Sequence, residues 1–258
     1  MSGKSVVSTV RDRLPFLRWS VIRFAVGGRT FARTGQVGDG REDAAREYVL
    51  AHGTAGDPDS VLAAYDSFAR TRSMLVNVGD EKGLILDAAV RRVSPTLALE
   101  LGGYCGYSAV RIGRALAPDA RLVSVELNPE NAAIARTLLA HAGLADRVTV
   151  VVGAVGDGGD TVTRLAEENG FGPGALDFVF LDHDKKAYLP DLKTILQAGW
   201  LHPGSLAVAD NVRIPGAPDY LRYMRDSEGR TWRTVEHDTH VEYQSLLKDL
   251  VLESEYIG

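Results

Sequence analysis

From about Val78 onward, short apolar runs alternate with amphipathic stretches, and nothing else in the chain restricts the fold as tightly. Residues 97–101, 122–125, 148–152, 178–181 and 206–209 read as buried strands. Between them, 79–93, 108–116, 130–142, 161–169, 188–196 and 219–225 read as helices, and two further strand candidates follow at 231–235 and 246–252. Strands alternating with helices require βαβ units: an α/β, doubly wound, mostly parallel sheet with helices on both faces. Residues 41–52 and 58–70 predict two preceding helices, the second started by Asp57-Pro58. The turns at Pro190 and Pro215 are read as shaping loops.

The 258 residues fit one such domain, at 41–258, with a basic extension at 1–40. Residues 1–41 hold eight basic and two acidic side chains, +6, so the remainder carries -11 of the net -5. Val10, Leu14, Leu17, Val21 and Phe24 form one apolar stripe among arginines, and the glycines at 27–28 and 35–40 read as a flexible connection. Such a helix suits packing on the domain, a dimer contact or an anionic membrane surface, with packing or dimerisation the favoured reading. The acidic balance disfavours nucleic acid as a partner. No apolar run is long enough to span a bilayer, and the single Cys105 fits a reducing, cytoplasmic setting. Cys105 reads as a buried residue, and His237 and His240 as surface or packing residues.

Ligands of doubly wound sheets bind beyond the carboxyl ends of the strands. The first strand ends LELGGYCGYS, with Glu100 followed by Gly102, Gly103 and Gly106. The glycine spacing departs from a nicotinamide-binding loop, and an acid there would repel a pyrophosphate but suits a cation or an amino group. Ser108, at the next helix start, can hold a carboxylate. Glu126, ending the second strand, suits ribose hydroxyls. Together they indicate a phosphate-free nucleoside cofactor with an amino-acid tail, which S-adenosylmethionine satisfies. Tyr104 lies in the same turn, near where the sulfur would sit.

The fourth strand ends in Asp182, His183, Asp184, Lys185 and Lys186, and the fifth in Asp210 and Asn211. If those strands are adjacent, Asp182 and Asp210 lie about 5 Å apart. Two carboxylates and an amide oxygen are hard donors that suit Mg2+, although His183 raises zinc. Lys185, beside a dication and a sulfonium, is a candidate general base.

With these residues in place, the chain resembles the catechol O-methyltransferase family from about Arg46 to Tyr243. The resemblance is carried by GDPDSVLAAYDSF, VNVGDEKGLILDAAV, LELGGYCGYSAVRI, AGLADRVTVVVGA, VFLDHDKKAYLPD, ADNVRIPGAPDYL and VEY. It implies a seven-stranded Rossmann-like methyltransferase, with S-adenosylmethionine and Mg2+ as cofactors and a catechol as small-molecule substrate. It implies cofactor contacts at Val78, Glu100, Gly102, Tyr104, Ser108, Glu126, Leu127, Val155, Asp182 and His183. The metal ligands it implies are Asp182, Asp210 and Asn211. Lys185 is the implied base, and Lys185, Asn211 and Glu242 the implied substrate contacts. Val155 and Gly156 replace a family Ser-Gln pair, and Asp184 and Met74 replace two tryptophans, which changes the adenine and ring-substituent contacts. A caffeoyl-coenzyme A type of phenolic methyltransferase is the alternative; a nicotinamide dehydrogenase and a non-catalytic module fit less well.

Overall fold

The computed structural model describes residues 30–31, 34–244 and 246–258. The expected helix over 10–24 and the glycines at 27–28 lie outside them. Helices α1 (Arg41–His52), α2 (Pro58–Thr71) and α3 (Gly79–Val93) precede strand β1 (Leu97–Leu101). There follow α4 (Tyr107–Ala115), β2 (Arg121–Glu126), α5 (Pro129–His141), β3 (Val148–Val152) and α6 (Asp160–Asn169). The chain continues through β4 (Leu176–Leu181), α7 (Tyr188–Gln197), β5 (Leu201–Ala209), α8 (Pro218–Asp226), β6 (Trp232–His240) and β7 (Lys248–Tyr256).

Local chemistry sets the helix starts. Asp57 caps α2 by accepting from the amides of Asp59 and Ser60 at 3.0 and 3.1 Å. Asn128 does the same for α5, accepting from Glu130 and Asn131 at 2.7 and 3.2 Å. Pro58 and Pro129 occupy the first helical positions, where no amide donor is needed. Pro190, read from sequence as shaping a loop, instead lies in the first turn of α7, where a proline is equally tolerated.

The seven strands run in the order β3-β2-β1-β4-β5-β7-β6. β1 to β5 are parallel, and β7 enters antiparallel between β5 and β6. Alternation along β1 sends Leu97, Leu99 and Leu101 to one face and Ala98 to the other. On the Ala98 face, Phe178, Phe180 and Val208 pack with Tyr65, Leu86, Ile112 and Leu138 from α2 to α5. The opposite face buries Leu165, Leu192, Ile195 and Met224 from α6, α7 and α8. The order in which strands are added reverses between β1 and β4, so their carboxyl ends mark the switch point.

The segment before α1 is not the free connection its glycines predict. Val37 is buried, and the carbonyls of Thr34 and Gly35 accept from the side-chain amides of Asn128 and Asn131. Among the described residues, no helix is long and apolar enough to cross a membrane.

Candidate active site

At the switch point, the Asp182 amide donates to the Leu101 carbonyl at 2.9 Å. Gly102 adopts φ 97°, and a Cβ there would lie 2.5 Å from the Asp182 carbonyl oxygen, so only glycine lets the two strand ends meet. Glu100 is fully buried and accepts from the Ser124 hydroxyl. Burial pushes its carboxyl up, to about 7, and the hydroxyls of Ser108 and Ser124 pull the other way. Its Oε1 is buried without a partner, which fits a ligand ammonium.

Glu126, at the end of β2, accepts from the amides of Tyr104 and Asn128 at 2.7 and 2.8 Å. Tyr104 has φ 41°, and its hydroxyl donates to Glu42 on α1 at 2.8 Å, so its ring is anchored toward α1. Leu127 is 64% exposed, an open apolar wall beside Glu126, whereas the Val155 side chain is buried in the second core layer. His183 bonds Asp191 through Nε2 at 2.9 Å; in the neutral ring Nε2 then carries the proton, and the buried, unpartnered Nδ1 is an acceptor. Asp184 is exposed and turned back onto the Lys186 amide.

β4 and β5 are adjacent, as the strand-end carboxylates require, with Leu181 paired to Ala209. Asp182 and Asp210 follow that pair directly. Lys185 donates to Asp182 Oδ1 at 2.8 Å and to the Tyr188 hydroxyl at 2.5 Å, and that hydroxyl donates to the Asp210 carbonyl at 3.0 Å. Asn211 sits at φ 54°, a left-handed conformation that asparagine tolerates. Its amide nitrogen donates to Glu242 Oε1 at 3.0 Å and to Asp249 Oδ2 at 2.8 Å, leaving the amide oxygen for a hard cation. Asp210 is fully buried, and its Oδ2 has no partner.

Two participants were not identified from sequence. Lys82, on the first turn of α3, is 1% exposed and contacts Asp210 at 2.7 Å, Asp249 at 3.1 Å and Glu242. Burial opposes the Lys82 charge, but Asp210, Glu242 and Asp249 outweigh it and keep the ammonium. Burial pushes Asp210 up, Lys82 pulls it down, and Asp182 and Glu242 add to the rise. Asp249 is disfavoured by burial yet held low by Lys82 and by the amides of Ile214 and Leu250. The shifts of Lys82 and Asp210 favour opposite states of their pair; the contacts to three carboxylates favour the ionised one. Lys82 recurs with Leu86 and Val90 on the apolar stripe of α3, and a lysine on such a stripe is the signal that marks it. The residue after Glu242, Tyr243, donates its hydroxyl to Asp66 at 2.9 Å.

Cys105 is buried, and desolvation pushes its thiol up, as an inert core cysteine requires. His237 and His240 do not converge; they contact Glu253 and Glu81 separately.

A doubly wound sheet with β7 reversed at one edge, and polar groups gathered at its switch point, is the Rossmann-like architecture of O-methyltransferases. Residues 61–222 match the O-methyltransferase family model, and the chain belongs to that family. A protein named probable O-methyltransferase from Mycobacterium tuberculosis is 64% identical over 91% of this chain and 100% of its own length. Catechol O-methyltransferase B of Danio rerio is 49% identical over 76% of this chain and 71% of its own length. An O-methyltransferase from Bacillus cereus, solved in complex with SAH, shares the fold with a TM-score of 0.61. That match covers 83% of this chain and 91% of the other at 24% identity.

Proposed function

We propose that the protein transfers a methyl group from S-adenosylmethionine to one hydroxyl of a catechol-type substrate, with Mg2+ as the metal. The observation that carries the reading is the rim itself. Asp182, Lys185, Asp210, Asn211 and Glu242 lie on adjoining strand ends and the loop before β7, with Asp210 Oδ2 buried and unpartnered. An orphaned carboxylate oxygen, with an amide oxygen on the next residue, is the donor chemistry that hard cations take. Asp182, Asp210 and Asn211 would hold the metal. Glu100, with its own orphaned Oε1, would hold the cofactor's ammonium, Ser108 its carboxylate and Glu126 its ribose. Gly102 and the backbones of Val78, Tyr104 and Val155 would line the tail and nucleoside, Leu127 the adenine, and His183 Nδ1 would accept a nucleoside donor.

A phenol of pKa about 10 is ionised in about one part in a thousand at pH 7, a deficit of about 4 kcal/mol. When bound, S-adenosylmethionine supplies the methyl group and Mg2+ lowers the pKa of the hydroxyls it holds. Lys185 Nζ takes the proton of the reacting hydroxyl, and the Tyr188 hydroxyl and Asp182 fix where that nitrogen sits. Glu242 accepts from the other hydroxyl. Both of its hydrogen bonds, from Lys82 and Asn211, fall on Oε1, which leaves Oε2 for the substrate.

The test is S-adenosylhomocysteine formation with a panel of small catechols and an acyl-coenzyme A phenolic, with Mg2+ and with a chelator. Catechol turnover that chelation abolishes is expected; full activity in chelator removes the metal, and preference for the coenzyme A ester moves the substrate class. Lys185→Ala is expected to lower kcat by about 10²–10⁴-fold, the usual worth of a general base, with S-adenosylhomocysteine affinity retained. Wild-type kcat in that variant would relieve Lys185 of the role.

A further inference from the structure

Lys82 is a buried lysine surrounded by acids on the side of Asp210 away from its orphaned oxygen. Its ammonium contacts Asp210 Oδ1 at 2.7 Å, Asp249 Oδ2 at 3.1 Å and Glu242 Oε1. An ammonium has three donors and no acceptor, so three carboxylates use it fully. Oxygens of these same three carboxylates all lie within 4.8 Å of one another. Ligand oxygens around a divalent ion at about 2.0–2.6 Å are separated by no more than that order of distance. The space the ammonium fills is therefore the size of a metal cage.

We propose that Lys82 is a resident cation. Its ammonium holds the cage of Asp210, Glu242 and Asp249 against divalent ions, confining the metal of the methyl-transfer reading, on which this rests, to the Oδ2 side of Asp210.

Charge supports the assignment. The rim carries four carboxylates, Asp182, Asp210, Glu242 and Asp249, and two lysines, Lys82 and Lys185. With Lys82 an ammonium and Lys185 the base, which must be uncharged to accept a proton, three negative charges remain; one divalent ion leaves the rim negative and a second would overshoot it. Geometry supports it as well. Asp249 is fixed independently of Lys82, accepting on Oδ1 from the amides of Arg213 and Ile214 at 3.3 and 3.0 Å and on Oδ2 from Asn211. The cage thus stays assembled when the lysine is removed. With the ammonium in place, Glu242 remains a hydrogen-bond acceptor for substrate; with a metal in its place, Glu242 becomes a ligand. Lys82 is in this sense a positioning residue, acting through Glu242 and Asp210.

The test counts ions and needs no substrate. Mn2+ binding, followed by the EPR signal of the free ion, is compared for the wild-type chain, Lys82→Ala and Lys82→Arg. Lys82→Ala is expected to bind one Mn2+ per chain more than wild type, and Lys82→Arg, which restores the charge, the wild-type number. A Lys82→Ala protein that melts cooperatively and binds no additional Mn2+ overturns the proposal. If that variant does not fold, Lys82→Met keeps the volume without the charge. Mn2+ bound at least tenfold more tightly than by wild type then sustains the proposal, and any smaller gain overturns it, since a merely structural lysine would loosen the metal when lost. Wild-type protein that binds no Mn2+ would remove the metal from the methyl-transfer reading, while the increment in Lys82→Ala still decides the role of Lys82.

Discussion

The Glu100 carboxyl, raised by burial from 4.5 to about 7, makes ligand-free stability depend on pH. Between those values the folded protein keeps a proton that the unfolded chain has released, so stability falls as pH rises and the loss is complete above 7. A shift of that size is worth about 3 kcal/mol. Glu100→Gln is therefore expected to unfold at higher denaturant than wild type at pH 8 and at the same denaturant at pH 4. Parallel curves across that range would show that Glu100 does not titrate there. A ligand ammonium beside Glu100 restores its charge, so cofactor binding at pH 6 releases a proton, readable by calorimetry in two buffers. Asp182 and Asp210 are legible in the sequence because each directly follows an apolar run, and Asn211 because it follows Asp210. Lys82 shows in the sequence only as a lysine on an apolar stripe, and Asp249 not at all. Their partners are distant in sequence, and only the fold brings α3 against the β5 and β7 ends.

The helix α3 matches its sequence-derived limits of 79–93, and the central strands lie where apolar runs place them. The edge of the sheet was less legible for a physical reason. β6 runs to His240, beyond the 231–235 expected, because an edge strand exposes alternate polar side chains such as Glu236. β7 starts later than expected and runs to Tyr256 because it buries polar Glu253 and Ser254, which an apolar criterion cuts off. The pairing of α3 with α4 bears on the site, since one carries Lys82 and the other Ser108. It is fastened by Asp87, which accepts from Arg111 at 3.1 and 2.7 Å and from Arg114. The Asp87 and Arg111 side chains are 2% and 5% exposed, so Asp87→Ala leaves a buried guanidinium without its counter-charge. The expected cost is about 3–5 kcal/mol by chemical denaturation. Leu84→Ala, on the 65% exposed side of the same helix, is expected to change stability by less than about 0.5 kcal/mol. Equal effects would deny the pair its role.

Residues just before Arg41 pack against the domain. Val37 is buried, its amide donates to Glu42 at 3.1 Å, and Gln36 donates to Asn131 at 3.0 Å. A chain starting at Arg41 is therefore expected to melt below one starting at Thr30, by about 3–10 °C if one valine-sized burial is lost from a domain of this length. S-adenosylhomocysteine should also bind more weakly to the shorter chain, because Asn128 and Asn131 flank Glu126. Indistinguishable melting curves would show that 30–40 contribute nothing to the domain. At the opposite side of the sheet, β6 has, among the described residues, β7 as its one neighbouring strand, and β7, which follows it in the chain, is inserted between β6 and β5. During translation, β6 thus waits unpaired until β7 has cleared the ribosome. Glu242 precedes β7 and Asp249 lies in it, so the acidic rim is likewise incomplete until that strand has been made. Completion of this edge and of the rim are coupled by the order in which the strands appear.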